Sequence, residues 1–246
     1  VSAAGPAGTA GDSLVPVFET IPAFEEEVGA PIRPGTVARA VLDGRSAAGR
    51  QCRVLAKRLL ALGRDKRLRR IGVAGACAGE GSSTVALGLA QALADEGPGR
   101  VLLIEGDVRH PALDERLGLS PAPAGLLAFL HGRSDVPVLR RSGRNGFWLL
   151  AAGRGAPSTL ASPRLEALLA ATERVFDLVV VDLPPLVGSR EALAVQERLD
   201  GVVYVVRSRR TARDTVRRAQ ALVLPEKRLG VVLSAHRDIL PRRRGS

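Results

Sequence analysis

The amino-acid sequence predicts a three-layer α/β fold in which a mostly parallel sheet is flanked by helices. Three observations carry this expectation. From Arg70 onward, short β-branched runs alternate with helical patterns, the arrangement expected of an open parallel sheet with crossover helices. Most of these runs are continuously apolar rather than alternating, as strands covered on both faces must be. The chain is also 46% apolar with only 3% aromatic residues, so Leu, Val, Ile and Ala build the core.

In chain order, residues 1–36 are rich in Gly, Ala and Pro and carry an acidic patch at Glu25, Glu26 and Glu27. That composition predicts a disordered leader. Residues 37–240 read as a single domain that opens with a helical segment over 37–63. Val37, Val41, Val54, Leu55, Leu59, Leu60 and Leu62 are its candidate buried positions, with interruptions expected at Gly44 and Gly49. The strand candidates are Ile71–Ala74, Val101–Glu105, Phe147–Ala151, Leu178–Asp182, Val202–Val206 and Leu229–Ser234. Between them the pattern predicts helices near 83–95, 111–117, 163–175, 190–198 and 211–223. Thr211 and Asp214 have the spacing of a capping box for the last helix. Residues 241–246 form a basic tail.

Composition narrows the function. No run of about 18 apolar residues exists to form a transmembrane helix. The first residues lack the basic and apolar regions of a signal peptide. Two cysteines, Cys52 and Cys77, exclude a disulfide framework. His110, His131 and His236 show no metal-ligand spacing. These features predict a cytoplasmic location. The formal charge is +11, and residues 205–246 hold 12 Lys/Arg against 3 Asp/Glu, so +9 of it lies there. Such an end suits an anionic membrane surface, an acidic partner or nucleic acid. Tyr204 is the only aromatic residue after Phe176, which disfavours base stacking on DNA.

The most informative stretch is Ile71-Gly-Val-Ala-Gly-Ala-Cys-Ala-Gly-Glu-Gly-Ser-Ser-Thr84. A strand enters a small-residue loop that opens a helix. Backbone N–H groups of such a loop and the helix N-terminus cradle phosphate. Against the P-loop pattern G-x-x-x-x-G-K-[ST], Gly81 aligns, Ala76 takes the place of the first Gly, and Ser82 that of the Lys. Ser83 fills the Mg²⁺-ligating hydroxyl position. Gly79, Glu80, Gly81, Ser82, Ser83 and Thr84 are therefore the candidate nucleotide-binding residues. Two later segments, Val101-Leu-Leu-Ile-Glu-Gly-Asp-Val-Arg-His-Pro111 and Asp177-Leu-Val-Val-Val-Asp-Leu-Pro-Pro185, are strands that end in acids. A carboxylate at the end of a buried strand beside a P-loop is placed to hold Mg²⁺. Glu105, Asp107 and Asp182 are the candidate catalytic acids, and Ser83, Asp107 and Asp182 the candidate metal ligands.

At these residues the chain resembles the bacterial tyrosine kinases of capsule and exopolysaccharide biosynthesis, P-loop relatives of the Min-type and Par-type ATPases. The family reads approximately S-x-x-P-G-E-G-K-S-T, then L-L-I-D-x-D-x-R-x-P, then D-x-V-I-I-D-x-P-P. Gly79, Glu80, Gly81, Ser83 and Thr84 match the first. Leu102, Leu103, Ile104, Asp107, Arg109 and Pro111 match the second. Asp177, Asp182, Pro184 and Pro185 match the third. Gly125-Leu126, Leu160-Ala-Ser162 and Asp200 to Arg207 with Thr211 resemble further family segments, so the likeness covers roughly residues 50–235. It implies ATP or ADP with Mg²⁺ as cofactors and a separate membrane-embedded chain-length adaptor as partner, with the protein at the inner face of the membrane.

The departures qualify this. Ser82 replaces the P-loop Lys, Ala78 a Pro, and Glu105 the first Asp of the second motif. Ser234 stands where relatives often carry Asn. Of the E-x-x-R-x-x-R oligomerisation motif, aligned on Arg50, Arg53 and Ala56, only Arg53 is kept. The C-terminal tyrosine cluster has no counterpart. A charged hydrogen bond to phosphate contributes about 1.5–3 kcal/mol, so losing the Lys weakens binding roughly tenfold to a hundredfold. Losing a transition-state donor costs about a hundredfold to a thousandfold in rate. The expectation is a regulatory pseudokinase with impaired ATP binding and phosphoryl transfer. The rival readings are a Par/Min-like protein docking on DNA or membrane through its basic end, and an active kinase with an atypical loop. Arg190, after the third motif, is a candidate replacement for the missing charge.

Overall fold

The computed structural model describes residues 25–27, 32–65, 67–97, 99–122, 124–135, 137–142, 146–155, 160 and 162–235. Most of the expected leader, and the whole of the basic tail with His236, lie outside the described residues. The strands are β1 Glu25–Glu27, β2 Arg70–Gly75, β3 Val101–Glu105, β4 Val138–Arg141, β5 Trp148–Leu150, β6 Leu178–Leu183, β7 Gly201–Arg207 and β8 Arg228–Ser234. The helices are α1 Thr36–Leu42, α2 Ala47–Asp65, α3 Ser82–Glu96, α4 Leu113–Leu117, α5 Leu126–Leu130, α6 Pro163–Thr172, α7 Arg190–Gln196 and α8 Arg213–Leu222. The strands form one sheet in the order β1-β4-β5-β3-β6-β2-β7-β8. All neighbouring pairs are parallel except β4 and β5.

Strand residues alternate between two cores. Leu102, Ile104, Val179, Val181 and Tyr204 pack with α5, α6, α7 and α8 on one face. Leu103, Val180, Val203 and Val205 pack with α1, α2, α3 and α4 on the other. Both faces of the central strands are thus covered, which is why their sequences are apolar throughout. The order puts β2, and the loop that follows it, between β6 and β7. The crevice at the carboxyl ends of parallel strands is where such sheets bind ligands.

Three expectations are corrected. Glu25–Glu27 is an edge strand parallel to β4, with Glu26 opposite Leu139 and Glu27 opposite Arg140. An edge strand needs backbone partners on one side only, so an acidic tripeptide with poor strand propensity can still pair. β4 itself went unseen because half of it is Arg. In the helical segment the break falls between Leu42 and Ala47, and Gly49 lies inside α2. Cys52, Ala56 and Leu59 form the buried stripe of α2, whereas Val54 and Leu62 face outward, as does Val37 in α1. The two helices cover one sheet face only, so a single stripe is needed. Finally, α8 has Ala212 at its N-cap with no side-chain cap. Thr211 is directed elsewhere, as described next.

Candidate phosphate-binding site

The loop Ala76–Gly81 links β2 to α3. Ala76 N–H donates to Val205 O at 2.9 Å, which anchors the start of the loop on β7. Gly79 and Gly81 have φ of +80° and +88°, a left-handed backbone that glycine adopts without the cost a Cβ would bring. The side chain of Glu80 turns inward and is buried. Its carboxylate accepts Arg207 N–H at 3.2 Å, Cys77 Sγ–H at 3.0 Å and the Thr211 hydroxyl. Ser234, at the end of β8, donates its hydroxyl to Glu80 O at 2.6 Å. Arg207 Nη1 donates to Gly79 O at 3.3 Å. The loop is therefore pinned to the ends of β7 and β8. The Cys77 thiol is pushed up to about 11 by burial and by its bond to Glu80. It is a poor nucleophile there.

The N-terminus of α3 carries no acidic residue in its first turn and no side-chain cap. Its free N–H groups and positive dipole end face the crevice. Ser82 occupies its first helical position, where the P-loop pattern has Lys. Ser83, next along, has its side chain beside the Asp182 carboxyl and favours the charged form of that group. Asp182 ends up there because Val179, Val181 and Leu183 point to one face of β6, which turns Asp182 toward α3. It is buried, and its Oδ1 has no partner among the described residues. Burial pushes its carboxyl up to about 8, with the charges of Glu105 and Asp107 adding to the rise and Ser83 and Arg116 opposing it. Asp107 is half-buried and accepts His110 N–H at 3.2 Å. Ser83 and Asp182 thus stand side by side, and Asp107 is near enough for its charge to act on Asp182.

Glu105 has a different position from that expected of a reacting acid. It lies opposite Asp182 in the β3–β6 register. Both its oxygens are occupied: Oε1 by Ala112 N–H and Leu113 N–H, each at 2.6 Å, and Oε2 by Ala152 N–H at 2.9 Å. Burial raises its pKa, and these backbone donors oppose the rise. Its longer side chain lets it hold the start of α4 against the loop after β5. Three backbone donors thus hold it in a structural role between α4 and the loop after β5. Arg190 is exposed. Arg109 pairs with Glu191 at 2.7 Å. Arg207 and Arg210 approach the loop, at Gly79 and Cys77, and Arg116 reaches the first turn of α3, donating from Nη1 to Thr84 Oγ1 at 3.3 Å. The sequence does not mark these three as cations of the site, because they come from segments distant from the loop.

A Mg²⁺–nucleotide fits this donor set. Ser83, Asp182 with its orphaned Oδ1, and Asp107 would hold the metal directly or through water. The loop and the head of α3 would hold the phosphates. Among the described residues no group of three His, Cys, Asp or Glu forms a metal site by itself.

No protein-family model matches the chain. The succinoglycan biosynthesis transport protein ExoP of Rhizobium meliloti is 34% identical over 175 residues, covering 67% of this chain and 22% of that protein. The tyrosine-protein kinase YwqD of Bacillus subtilis is 27% identical over 176 residues, covering 69% of this chain and 73% of that one. The BceF tyrosine kinase domain superposes with a TM-score of 0.65 at 27% identity, over 78% of this chain and 80% of that one. The chain is thus similar to proteins named as bacterial tyrosine kinases and as a transport protein of exopolysaccharide biosynthesis. It spans about a fifth of the ExoP protein. A more distant structure, the cobyrinic acid a,c-diamide synthase of Mycobacterium smegmatis with bound ATP analogue and magnesium, has a TM-score of 0.52 at 25% identity, over 68% of this chain and 72% of that one. Together these place the three-layer sheet among P-loop kinase and ATPase folds.

Proposed function

We propose that this chain is a regulatory nucleotide-binding domain of the kinase family, in which Mg²⁺–ATP or Mg²⁺–ADP binding is weakened and phosphoryl transfer impaired. One observation carries the reading. Ser83 and the buried Asp182 stand together at the head of α3, while Ser82 leaves that helix end without the loop's own cation. Asp182 and Asp107 would act as metal ligands, and the loop backbone would orient the phosphates. Bound Mg²⁺ would supply positive charge that neutralises phosphate oxygens. The lysine's further contribution, a donor that follows charge as it develops in transfer, has no counterpart in the loop. The chain's one tyrosine, Tyr204, is buried in β7 and cannot present its hydroxyl as acceptor.

The partner that fits this reading is a membrane-embedded chain-length regulator. No described helix is long and apolar enough to cross a membrane. Titration with Mg²⁺–ATP tests the reading. Wild type is expected to bind, with Ser82→Lys binding roughly tenfold more tightly and neither incorporating phosphate at Tyr204. Failure of both proteins to bind would remove the nucleotide site. Wild-type turnover equal to that of Ser82→Lys would remove the impairment.

A further inference from the structure

The missing loop lysine leaves a helix N-terminus and a cradle of backbone N–H groups with no cation of their own. Yet a cation does reach this place. Arg116 projects from α4 to the first turn of α3, where Nη1 donates to Thr84 Oγ1 at 3.3 Å. Its charge also acts on Asp182, one strand end away. Among the described residues no carboxylate forms an ion pair with Arg116, and its Nε is buried without a partner.

This is a costly arrangement without an anion in direct contact with the guanidinium. The N-terminus of a helix is its positive end, so a guanidinium beside it is repelled. A buried N–H without an acceptor forfeits its desolvation. The fold nevertheless holds Arg116 there from two sides. Glu105 fixes the start of α4 through Ala112 N–H and Leu113 N–H. The segment before α1 fixes its end: Gly35 N–H donates to Arg116 O at 3.1 Å and Arg33 N–H to Leu117 O at 2.8 Å. A cation sits at the first turn of the helix that the glycine-rich loop opens, and the chemistry these groups share is recognition of a phosphate group.

We propose that Arg116 supplies, from α4, the phosphate-binding cation that Ser82 cannot supply from the loop. The proposal rests on the nucleotide reading above and sharpens it: the chain has moved its phosphate cation from the loop to a neighbouring helix. A guanidinium fixed there contacts a phosphate oxygen in the ground state. Because its backbone is held from both sides, it is less free than a lysine to follow a group in transfer. Retained binding with impaired transfer is the consequence.

The experiment is a Mg²⁺–ADP titration of wild type, Arg116→Met, Arg116→Lys, Ser82→Lys and the Ser82→Lys/Arg116→Met pair, with ligand-free thermal midpoints measured alongside. Arg116→Met is expected to lose roughly tenfold to a hundredfold in affinity. Arg116→Lys should keep part of it. Ser82→Lys should gain more in the Arg116→Met background than in wild type, because the two cations serve the same phosphates. A folding defect would lower the thermal midpoint and would not be repaired by a lysine at 82. Equal affinity of wild type and Arg116→Met overturns the proposal and leaves the nucleotide site standing. Binding by Ser82→Lys but not by wild type also overturns it. If no variant binds, the nucleotide reading and the proposal fall together.

Discussion

Replacing Glu80 tests how the phosphate loop is held. Its carboxylate is buried and accepts Arg207 N–H at 3.2 Å, Cys77 Sγ–H at 3.0 Å and the hydroxyl of Thr211. Hydrogen bonds to a charged group contribute about 1.5–3 kcal/mol each. The thiol is a weak donor, so two bonds carry most of the energy. Arg207 N–H also lies 3.2 Å from Thr211 Oγ1, so after Glu80→Ala it keeps one acceptor. The expected loss is therefore about 2–4 kcal/mol rather than the full sum. For a domain of this size that is roughly a 5–15 °C fall in thermal midpoint. Glu80→Gln keeps the shape and one acceptor oxygen, and should lose about half as much. A double-mutant cycle with Thr211→Ala should show coupling above about 1 kcal/mol. Urea denaturation of the ligand-free proteins measures all of these. A Glu80→Ala loss below about 1 kcal/mol, or strict additivity with Thr211→Ala, would refute the view that this carboxylate clamps the loop to the end of β7.

Two further perturbations probe the layer that carries the loop helix. A Cβ at Gly88 in α3 would overlap Cys52 Sγ and lie 3.0 Å from Val41 Cβ, so Gly88→Ala should destabilise by about 1–3 kcal/mol, and adding Cys52→Ala should recover part of this in urea denaturation. Glu96, at the end of α3, accepts Arg53 Nε–H at 2.7 Å and pairs with Lys57 at 3.3 Å. Arg53 first, then Lys57, holds its carboxyl below the ordinary 4.5. A depressed folded value means the folded state binds fewer protons, so its contribution is complete above 4.5 and is lost as pH falls through the folded value. The stability difference between wild type and Glu96→Gln should thus be constant above that pH and shrink below it; a difference that grows on acidification would contradict the pairing.

The parts of the fold legible in the sequence are those governed by local pattern. β3 was read with its observed ends because Val101–Glu105 is continuously apolar up to an acid, and a doubly covered strand has no other way to be written. α3 was read to within a residue at each end because it follows a glycine with a left-handed backbone and runs to Gly97. β1 was not legible. Its pairing with β4 is a backbone event at a sheet edge, and three glutamates carry no trace of it. Nor was the exposure of Val54 and Leu62, since apolar spacing marks the candidates for burial and only the position of α3 selects among them.

The same division runs through the site. Ser83 and Asp182 could be paired from sequence because each sits at the end of an element whose type and order were evident. Glu105 reads as a reacting acid in the sequence because its place in the motif records strand-end position and says nothing of where α4 begins. Once α4 is in place, three backbone N–H groups claim both its oxygens, and by holding α4 it places Arg116 beside Thr84. The substitution of Glu for Asp at 105 and the presence of Arg at 116 are then parts of one arrangement, separated by 11 residues and joined by the turn of the chain. A charge missing from the loop at Ser82 is balanced by one that no motif at the loop could have indicated.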